Sequence, residues 1–366
     1  MTRACLLALA CTALLAGPVR AQRVAVEFLF DGELWKTDSA SRLLARNGGE
    51  PAIAGRARSW LAIRAGPKVD FLAHVMAEAG SAENEDAVYL EQLEVKARAA
   101  SSLTIEAGKI LQPIGTFGTR RFSNTNPLIG EPDAYPAQYP WGAVATGVVA
   151  GGRFDYHVAL TSLPAVNERY TPPPDDYLRP IAGIGVSVGP AFRIGATATH
   201  GPYLGDSVSA QLPSGRSWKD YKQTVVAGDV RFSKGYIEAR AEASWSEYEV
   251  PTVTDPLHGF GWYAELRGTV SPRVFLAGRY EYYRYAFVLP VNQTFWVGRE
   301  TTQMNAEVGM GYRVTSATLL KTTVRRDHWP VHTIPGAPSF PDGWAVAIQC
   351  SVFASATDLL AGGSRY

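Results

Sequence analysis

The chain has 366 residues with 35 lysines and arginines against 34 aspartates and glutamates, and it has no basic block, which excludes a nucleic-acid-binding protein. Two of its three cysteines lie within the first eleven residues, so the rest of the chain lacks the cysteines for an internal disulfide framework. No apolar run after residue 21 reaches the roughly 20 residues that a membrane-spanning helix needs.

The N-terminus predicts a secretory signal over residues 1–21. Arg3 gives a positive start, a short apolar core of small residues and leucine follows, and Val19-Arg20-Ala21 is typical of a cleavage site. A lipoprotein signal ending at Cys11 is the alternative, but the residues before that cysteine match it poorly. Cleavage lowers the number of lysines and arginines from 35 to 33 against 34 acids, and leaves residues 22–366 as the mature chain.

Segments that alternate apolar and polar residues recur along the whole mature chain, with turn residues between them. This succession is typical of the strands of a transmembrane β-barrel, each with one apolar and one polar face. We count sixteen predicted strands: Ala25–Trp35, Ala52–Arg64, Lys68–Ala79, Val88–Arg98, Leu103–Lys109, Trp141–Gly151, Phe154–Leu163, Ile181–Val188, Phe192–Thr199, Gln223–Phe232, Tyr236–Tyr248, Gly259–Val270, Val274–Phe287, Thr302–Val314, Ala317–Arg326 and Trp344–Phe353.

Short and long connections alternate between these strands. Short ones, such as Ser233-Lys234-Gly235, contain turn residues, whereas long ones include 201–217, 327–342 and Leu289–Thr301. A membrane barrel gives this alternation, because its turns are tight at one rim and its loops are longer at the other. The predicted fold is therefore an all-β, antiparallel transmembrane barrel of sixteen strands in the bacterial outer membrane, in contact with membrane lipid and lipopolysaccharide.

Aromatic residues cluster near the strand ends, as the interfacial girdles of a barrel would. The predicted girdle consists of Trp245, Tyr263, Tyr280, Tyr282, Tyr283, Tyr285, Trp296, Tyr312 and Trp344. Cys350 falls in register with Trp344 on a face that we predict to be lipid-facing, so we expect an inert thiol there.

One connection, residues 110–140, is far longer than the usual loop of about 4–6 residues. It contains five prolines, several aromatic residues and the pair Arg120–Arg121. We predict that it folds into the barrel and narrows the lumen. Basic residues on the polar faces outnumber acidic ones, which predicts a mild preference for anions. The alternative is that these charges pair across strands and set no selectivity. The candidate pore-lining residues are Lys109, Arg120, Arg121, Arg56, Arg58, Arg64, Lys96, Arg98, Arg240 and Arg279.

The segment from Gly108 to Pro132 carries a motif, Gly108-Lys109 followed by Pro113-Ile114-Gly115, with Asn126-Pro127-Leu128 further on. In this stretch the chain resembles the phosphate-selective porin O and P family and related bacterial porins. The resemblance implies a sixteen-stranded barrel, usually a homotrimer, that passes anions past a constricting loop. Phosphate selectivity in that family depends on a lysine cluster and an arginine ladder, and the insert offers Lys109, Arg120 and Arg121 only.

No catalytic, metal or cofactor site is predicted. The sequence has no nucleophile elbow, phosphate-binding loop or zinc signature, and His157 and Ser162 fall on opposite faces of one strand. We therefore expect a passive diffusion channel for small hydrophilic solutes or anions, and not an enzyme. The alternatives are an outer-membrane barrel with another role, such as an enzyme or adhesin, and a secreted β-protein that binds carbohydrate.

Overall fold

The fold was analysed in a computed structural model, which describes residues 21–41, 49–81, 87–133, 139–162, 177–251, 254–291, 295–330 and 341–356. The predicted signal, apart from Ala21, lies outside the described residues. None of the helices in these ranges has the length and hydropathy of a membrane-spanning helix.

The described residues form sixteen strands and a few short 3-10 turns. The strands are β1 Ala21–Thr37, β2 Ala52–Ala65, β3 Val69–Ala79, β4 Ala87–Ala100, β5 Leu103–Lys109, β6 Trp141–Val149, β7 Phe154–Thr161, β8 Arg179–Val188, β9 Phe192–Pro202, β10 Lys222–Lys234, β11 Ile237–Tyr248, β12 Leu257–Ser271, β13 Val274–Val291, β14 Phe295–Arg313, β15 Thr318–His328 and β16 Gly343–Ser355. The 3-10 turns are Phe117–Arg120, Ala150–Gly152, Asp206–Gln211 and Trp218–Asp220.

Each strand pairs antiparallel with its neighbours in the sequence, and β1 closes the sheet against β16. The closing register is continuous from Glu27 opposite Ser355 to Thr37 opposite Ala345. Closure leaves no edge strand, so the backbone groups along the barrel wall are paired within the sheet. The predicted sixteen-stranded antiparallel barrel is confirmed.

The connections divide between the two rims. Seven connections at one rim have four residues or fewer, and both termini of the sheet lie at this rim. Gly189 and Gly235 take positive φ values of 65° and 61° in two of these turns, a conformation that suits glycine. The opposite rim carries the longer loops. The prediction of a long loop over Leu289–Thr301 is wrong. Strands β13 and β14 stay paired through this region, and only residues 292–294 separate them.

The two faces of the wall differ in polarity, as β15 shows. Lys321, Arg325 and Asp327 point inward and are buried, whereas Leu320 and Val324 point outward and are exposed. The outward face along the barrel presents large apolar side chains, which suits hydrocarbon and not water. The alternative of a secreted, soluble β-protein is therefore wrong. Cys350 lies on the exposed outward face as predicted.

The structure confirms an outward position for four residues of the predicted girdle: Trp245, Tyr280, Tyr312 and Trp344. Two assignments are wrong, because Tyr263 is fully buried inside the lumen and Tyr283 packs against the same buried cluster. The side chains of Tyr285 and Trp296 lie outside the described part of the chain. Tyr263 shares its face of β12 with Glu265, two residues away, and this period-two relation places both side chains inward.

Residues 203–221 form a folded loop over the long-loop rim. Tyr203, Leu204 and Trp218 from this loop pack with Tyr248 and Val250 at the end of β11. The phenol of Tyr203 also contacts the Tyr248 ring edge-on, with centroids 5.2 Å apart. The loop therefore has its own apolar core and covers part of the rim.

The outward face of β15 gives a direct test of lipid exposure. Replacing Val324, near the middle of the strand, with arginine should destabilise the barrel by about 2–4 kcal/mol, because the charge would lie at the bilayer midplane. Val270 is outward-facing and next to a short turn, so Val270→Arg should cost about 0–1 kcal/mol. Guanidinium unfolding in phosphatidylcholine vesicles measures both values. Equal costs at the two positions would contradict the assigned membrane depth.

Candidate functional site

The insert of residues 110–140 connects the two short strands β5 and β6. Its two ends are joined by a hydrogen bond from the Ile110 N–H to the Pro140 carbonyl, at 2.9 Å. Its described residues include Ile110, Phe117 and Leu128, each at most 1% exposed, although it carries no regular strand or long helix. Its contacts lie on strands across the barrel, so the insert passes through the lumen.

The wall at β11 and β12 binds the first part of the insert. Thr116 donates its backbone N–H and its hydroxyl to the Glu242 carboxylate, at 2.9 and 2.8 Å. Arg120 donates to Glu265 at 2.6 Å and to the Tyr263 hydroxyl at 3.1 Å. Phe117 packs edge-on against the Tyr263 ring. These bonds fix the 3-10 turn of the insert against two neighbouring strands.

The next part of the insert is bound through its backbone by β13, β14 and β15. The Gly130 N–H donates to Glu307 at 3.1 Å, and Arg279 donates to the Gly130 carbonyl at 2.8 Å. Lys321 donates to the carbonyls of Asn126 and Leu128, at 3.0 and 2.9 Å. Charged wall residues thus satisfy backbone groups of the insert that no regular structure pairs.

Asp133 is a further anchor in the same region. Its carboxylate accepts hydrogen bonds from Gln303, Asn305 and Arg325, at 3.0, 2.7 and 2.5 Å. Its backbone N–H donates to Glu281 at 2.9 Å. The single residue Asp133 therefore joins three strands of the wall, β14 and β15 through its carboxylate and β13 through its backbone N–H.

The opposite wall, formed by β1 to β4, binds the middle of the insert. Arg121 forms an ion pair with Glu91, and both side chains are 8% exposed. Ser123 donates its hydroxyl to Asp31, which also forms an ion pair with Arg58 at 2.8 Å. These pairs are nearly dry, so removal of either charge would leave its partner without compensation.

An aromatic cluster supports the same contact. The rings of Trp60 and His74 stack with centroids 4.5 Å apart, and Phe122 of the insert meets Trp60 edge-on at 5.1 Å. Tyr139 meets His74 edge-on, and the Arg121 guanidinium lies 4.9 Å from the Tyr139 ring centroid. The insert is therefore held to this wall by apolar packing as well as by charge.

The two adjacent arginines bind opposite walls. Arg120 contacts β12 and Arg121 contacts β4, and these strands are eight positions apart in the sixteen-stranded ring. Strands half a ring apart face each other across a barrel. The arginine pair therefore connects diametrically opposed parts of the wall.

Titration of the insert groups near this pair is shifted by their surroundings. Burial raises the pKa of Tyr139 above its usual range, so its hydroxyl stays neutral. Burial alone would lower the pKa of Arg121, but Tyr139, Glu131 and Glu91 together raise it. The Arg121–Glu91 pair therefore involves a guanidinium that stays charged throughout the physiological pH range.

The apolar side chains of the insert face a different sector of the wall. Ile110 packs against Val144, Ala159 and Ile181, which point inward from β6, β7 and β8. Ile114 packs against the same cluster. These wall residues are all apolar, so hydrophobic contact and not charge fixes the insert to this sector.

Nine of the ten predicted pore-lining residues face the lumen or the insert, and each of these nine contacts a carboxylate in the described part of the chain. The tenth, Lys109, lies opposite Leu93 and Trp141, whose side chains are exposed on the outward face, and it donates to the Leu90 carbonyl. The pairs are Arg56 with Glu33 and Glu78, Arg58 with Asp31, Arg64 and Arg98 with Asp70, Lys96 with Glu106, Arg120 with Glu265, Arg121 with Glu91, Arg240 with Glu238, and Arg279 with Glu265, Glu281 and Glu307.

Several residues of the site escaped the sequence analysis. Asp31 and Glu33 bind wall arginines, yet only their period-two spacing in β1 indicated an inward position. Asp133 lies in a segment where apolar and polar residues do not alternate. Nothing in the local sequence therefore predicts its contacts with three strands. The alternation of residues along β2 and β3 indicates that Trp60 and His74 face inward, but nothing in the sequence indicates that their rings stack.

Comparison with known proteins identifies structures of the same fold but no protein of similar sequence. No protein-family model matches the sequence, and no curated protein matches it significantly. Solved structures of the same fold include OmpF of Salmonella typhi in complex with daunomycin, with a TM-score of 0.60 at 10% identity over 90% of this chain and 97% of that one. The anion-selective porin from Comamonas acidovorans gives 0.58 at 9% identity over 91% and 99%. OmpT of Vibrio cholerae, in a trimer form, gives 0.59 at 10% over 92% and 100%.

These structures share the architecture of outer-membrane proteins with the chain. The porin-like barrel that the sequence predicts is thus confirmed at the level of the fold, and an outer-membrane location agrees with it. The narrower resemblance to phosphate-selective porins has no matching family model and stays a prediction.

The Arg120–Glu265 pair predicts a measurable coupling between insert and wall. Arg120→Met should lower the free energy of unfolding by roughly 3 kcal/mol, because Glu265 would lose its closest cation in a buried site. Glu265→Gln should also destabilise, and the double variant should recover part of the loss. Guanidinium unfolding in detergent measures this cycle. Strictly additive costs would show that the two groups do not interact.

Proposed function

We propose that the protein is an outer-membrane porin through which small hydrophilic solutes and ions diffuse passively, with a mild preference for anions. The observation that carries this proposal is the insert, which crosses the lumen of a closed barrel and is bound to opposite walls by Arg120 and Arg121. A barrel with an apolar exterior, a charged interior and a pinned internal loop is suited to restricting solute size without chemistry.

The exposure of the lumen charges supports a constriction at the level of the insert. Near the short-turn rim, the side chains of Arg64, Lys96 and Arg98 are 45%, 38% and 39% exposed. At the insert, the side chains of Arg120 and Arg279 are 7% and 0% exposed. Water therefore reaches the short-turn vestibule freely, and the insert closes off much of the cross-section above it.

The pairing of the basic residues limits the proposed anion preference. A guanidinium bound to a carboxylate contributes little net potential to the pore, because the two charges cancel at short range. Arg120 and Arg121 are both paired, so they support a structural role more than an anion-attracting one. The preference we propose is accordingly weak, and its only support is the excess of basic residues that the sequence predicts for the polar strand faces. Phosphate selectivity has no further support.

Assembly and partners follow from the same proposal. The Vibrio cholerae structure is described as a trimer form, and we propose a homotrimer for this protein as well. Lipid and lipopolysaccharide would contact the apolar exterior and its rims. The absence of enzymatic activity remains a prediction from the sequence. Crosslinking of the protein in detergent, resolved on a denaturing gel, tests the trimer.

Conductance measurements test the proposed channel. The purified, folded protein should produce discrete steps in a planar bilayer, and a salt gradient should give a small reversal potential of the sign for anion selectivity. Folding is checked first by the shift of the gel band on heating. A folded protein without conductance steps would overturn the channel, and a reversal potential of the opposite sign would overturn the anion preference alone.

Shortening the insert tests the constriction. Replacing residues 116–133 with a short glycine-serine linker should raise single-channel conductance severalfold, because a sixteen-stranded barrel without an internal loop has a wide lumen. A matched control shortens the folded outer loop at residues 206–217, which lies at the rim and should change conductance less. Unchanged conductance in the insert variant would show that the insert does not narrow the pore.

A further inference from the structure

A hollow lies beneath the insert, on the short-turn side of the lumen, against β1 to β4. It consists of two adjoining cavities of about 300 and 440 Å³, and both are lined by Ala25, Glu27, Ala62 and Leu72. Binding sites for small molecules in proteins span about 300–1,000 Å³. The hollow is therefore large enough for a small organic molecule.

The floor of the hollow follows from the strand register. Ala25 lies opposite Ala62, Ala62 opposite Leu72, and Leu72 opposite Glu94. These four inward-facing residues form one row across four neighbouring strands. The row is apolar and mostly small over three strands, and it ends at a carboxylate.

The roof of the hollow is aromatic. Phe122 of the insert, Trp60 of β2 and Phe353 of β16 line the upper cavity together with Asn124 and Thr125. The contact between Phe122 and Trp60 fixes this roof. An apolar or aromatic group could therefore lie between the roof and the alanine floor.

Glu94 is the polar end of this hollow. The residue is only 5% exposed, and its Oε2 atom is buried without a hydrogen-bond partner in the described part of the chain. Lys96, which lines the same cavity, forms an ion pair with Glu106 at 2.6 Å. A buried carboxylate oxygen without a partner is unfavourable, and a cation from solution would compensate it.

Glu27 adds a second acid at the other side of the hollow. It lines both cavities, is exposed to solvent, and has no ion pair with another described residue. The lining cation Arg64 is already bound to Asp70 at 2.8 Å. Among the described residues that line the two cavities, the charges without an ion-pair partner are therefore negative, and an anion would have to displace Asp70 or Glu106 from its pair.

We propose that this hollow is a binding site for an organic ammonium ion with an apolar body. The ammonium group binds the Glu94 carboxylate, and the apolar body lies along Ala62 and Leu72 beneath Trp60 and Phe122. Glu27 attracts the cation from the vestibule and stabilises it at the open side. The site requires the folded barrel and does not require a conducting pore.

Calorimetric titration of the folded, full-length protein in detergent tests the site with phenethylammonium chloride as the probe. We expect saturable binding with one site per chain. The neutral analogue 2-phenylethanol and the anion 3-phenylpropionate should bind at least tenfold more weakly, because neither can pair with a carboxylate. Titration into the matched variants below corrects for partition of each probe into the micelle.

Three variants and one control locate the site. Glu94→Gln should weaken binding at least tenfold, Glu27→Gln should weaken it less, and Ala62→Phe should abolish it by filling the hollow. Glu50→Gln, on an exposed loop segment, should leave the affinity unchanged. The heat-shifted gel band confirms that each variant is folded.

Two results would overturn the site: no saturable binding of the ammonium probe, or binding that Glu94→Gln and Ala62→Phe both leave intact. Tighter binding of 3-phenylpropionate would assign the hollow to anions instead. Conductance is measured separately on the same preparation. A protein that binds the probe but shows no conductance would refute the channel and retain the site. A protein that conducts but does not bind the probe would refute the site and retain the channel.

Discussion

Closure of the sheet between β1 and β16 is the constraint on which the rest of the structure depends. In hydrocarbon a backbone N–H or C=O without a partner is costly, so a membrane-spanning sheet must close on itself. Once it is closed, the strand period of two decides which side chain faces lipid and which faces the lumen. The inward charges of β15 and the outward Val324 and Cys350 follow from this single geometric rule.

The lumen then presents a second problem, because it collects many ionisable groups in a confined space. The structure resolves it by pairing: lumen arginines contact carboxylates from neighbouring strands or from the insert, and the insert supplies backbone groups where side chains do not suffice. Paired charges hold the insert in place, but they contribute little net electrostatic potential to the pore. It also makes an unpaired acid such as Glu94 conspicuous.

Strand number, rim assignment and the existence of an internal insert could be predicted from the sequence, because each rests on a local pattern. Predictions fail where two local patterns conflict or where no local pattern exists. The aromatic ring of Tyr263 favours a lipid-facing position, whereas its spacing to Glu265 places it inward. The predicted loop Leu289–Thr301 is wrong because pairing between β13 and β14 extends both strands. The partners of Arg120, Arg121 and Asp133 are distant in sequence, so no local pattern could reveal them.

The contacts of the insert also constrain the order of assembly. The bonds from Lys321 to the carbonyls of Asn126 and Leu128 join residues 195 and 193 positions apart, and the bond from Ser123 to Asp31 reaches back to the first strand. None of these bonds to β15 can form before that strand has joined the sheet. Complete seating of the insert is therefore a late step, and long-range contacts of this kind are slow to form. Until then the insert of about thirty residues lacks its contacts to β15, so we expect a nascent barrel to be more open than its native state.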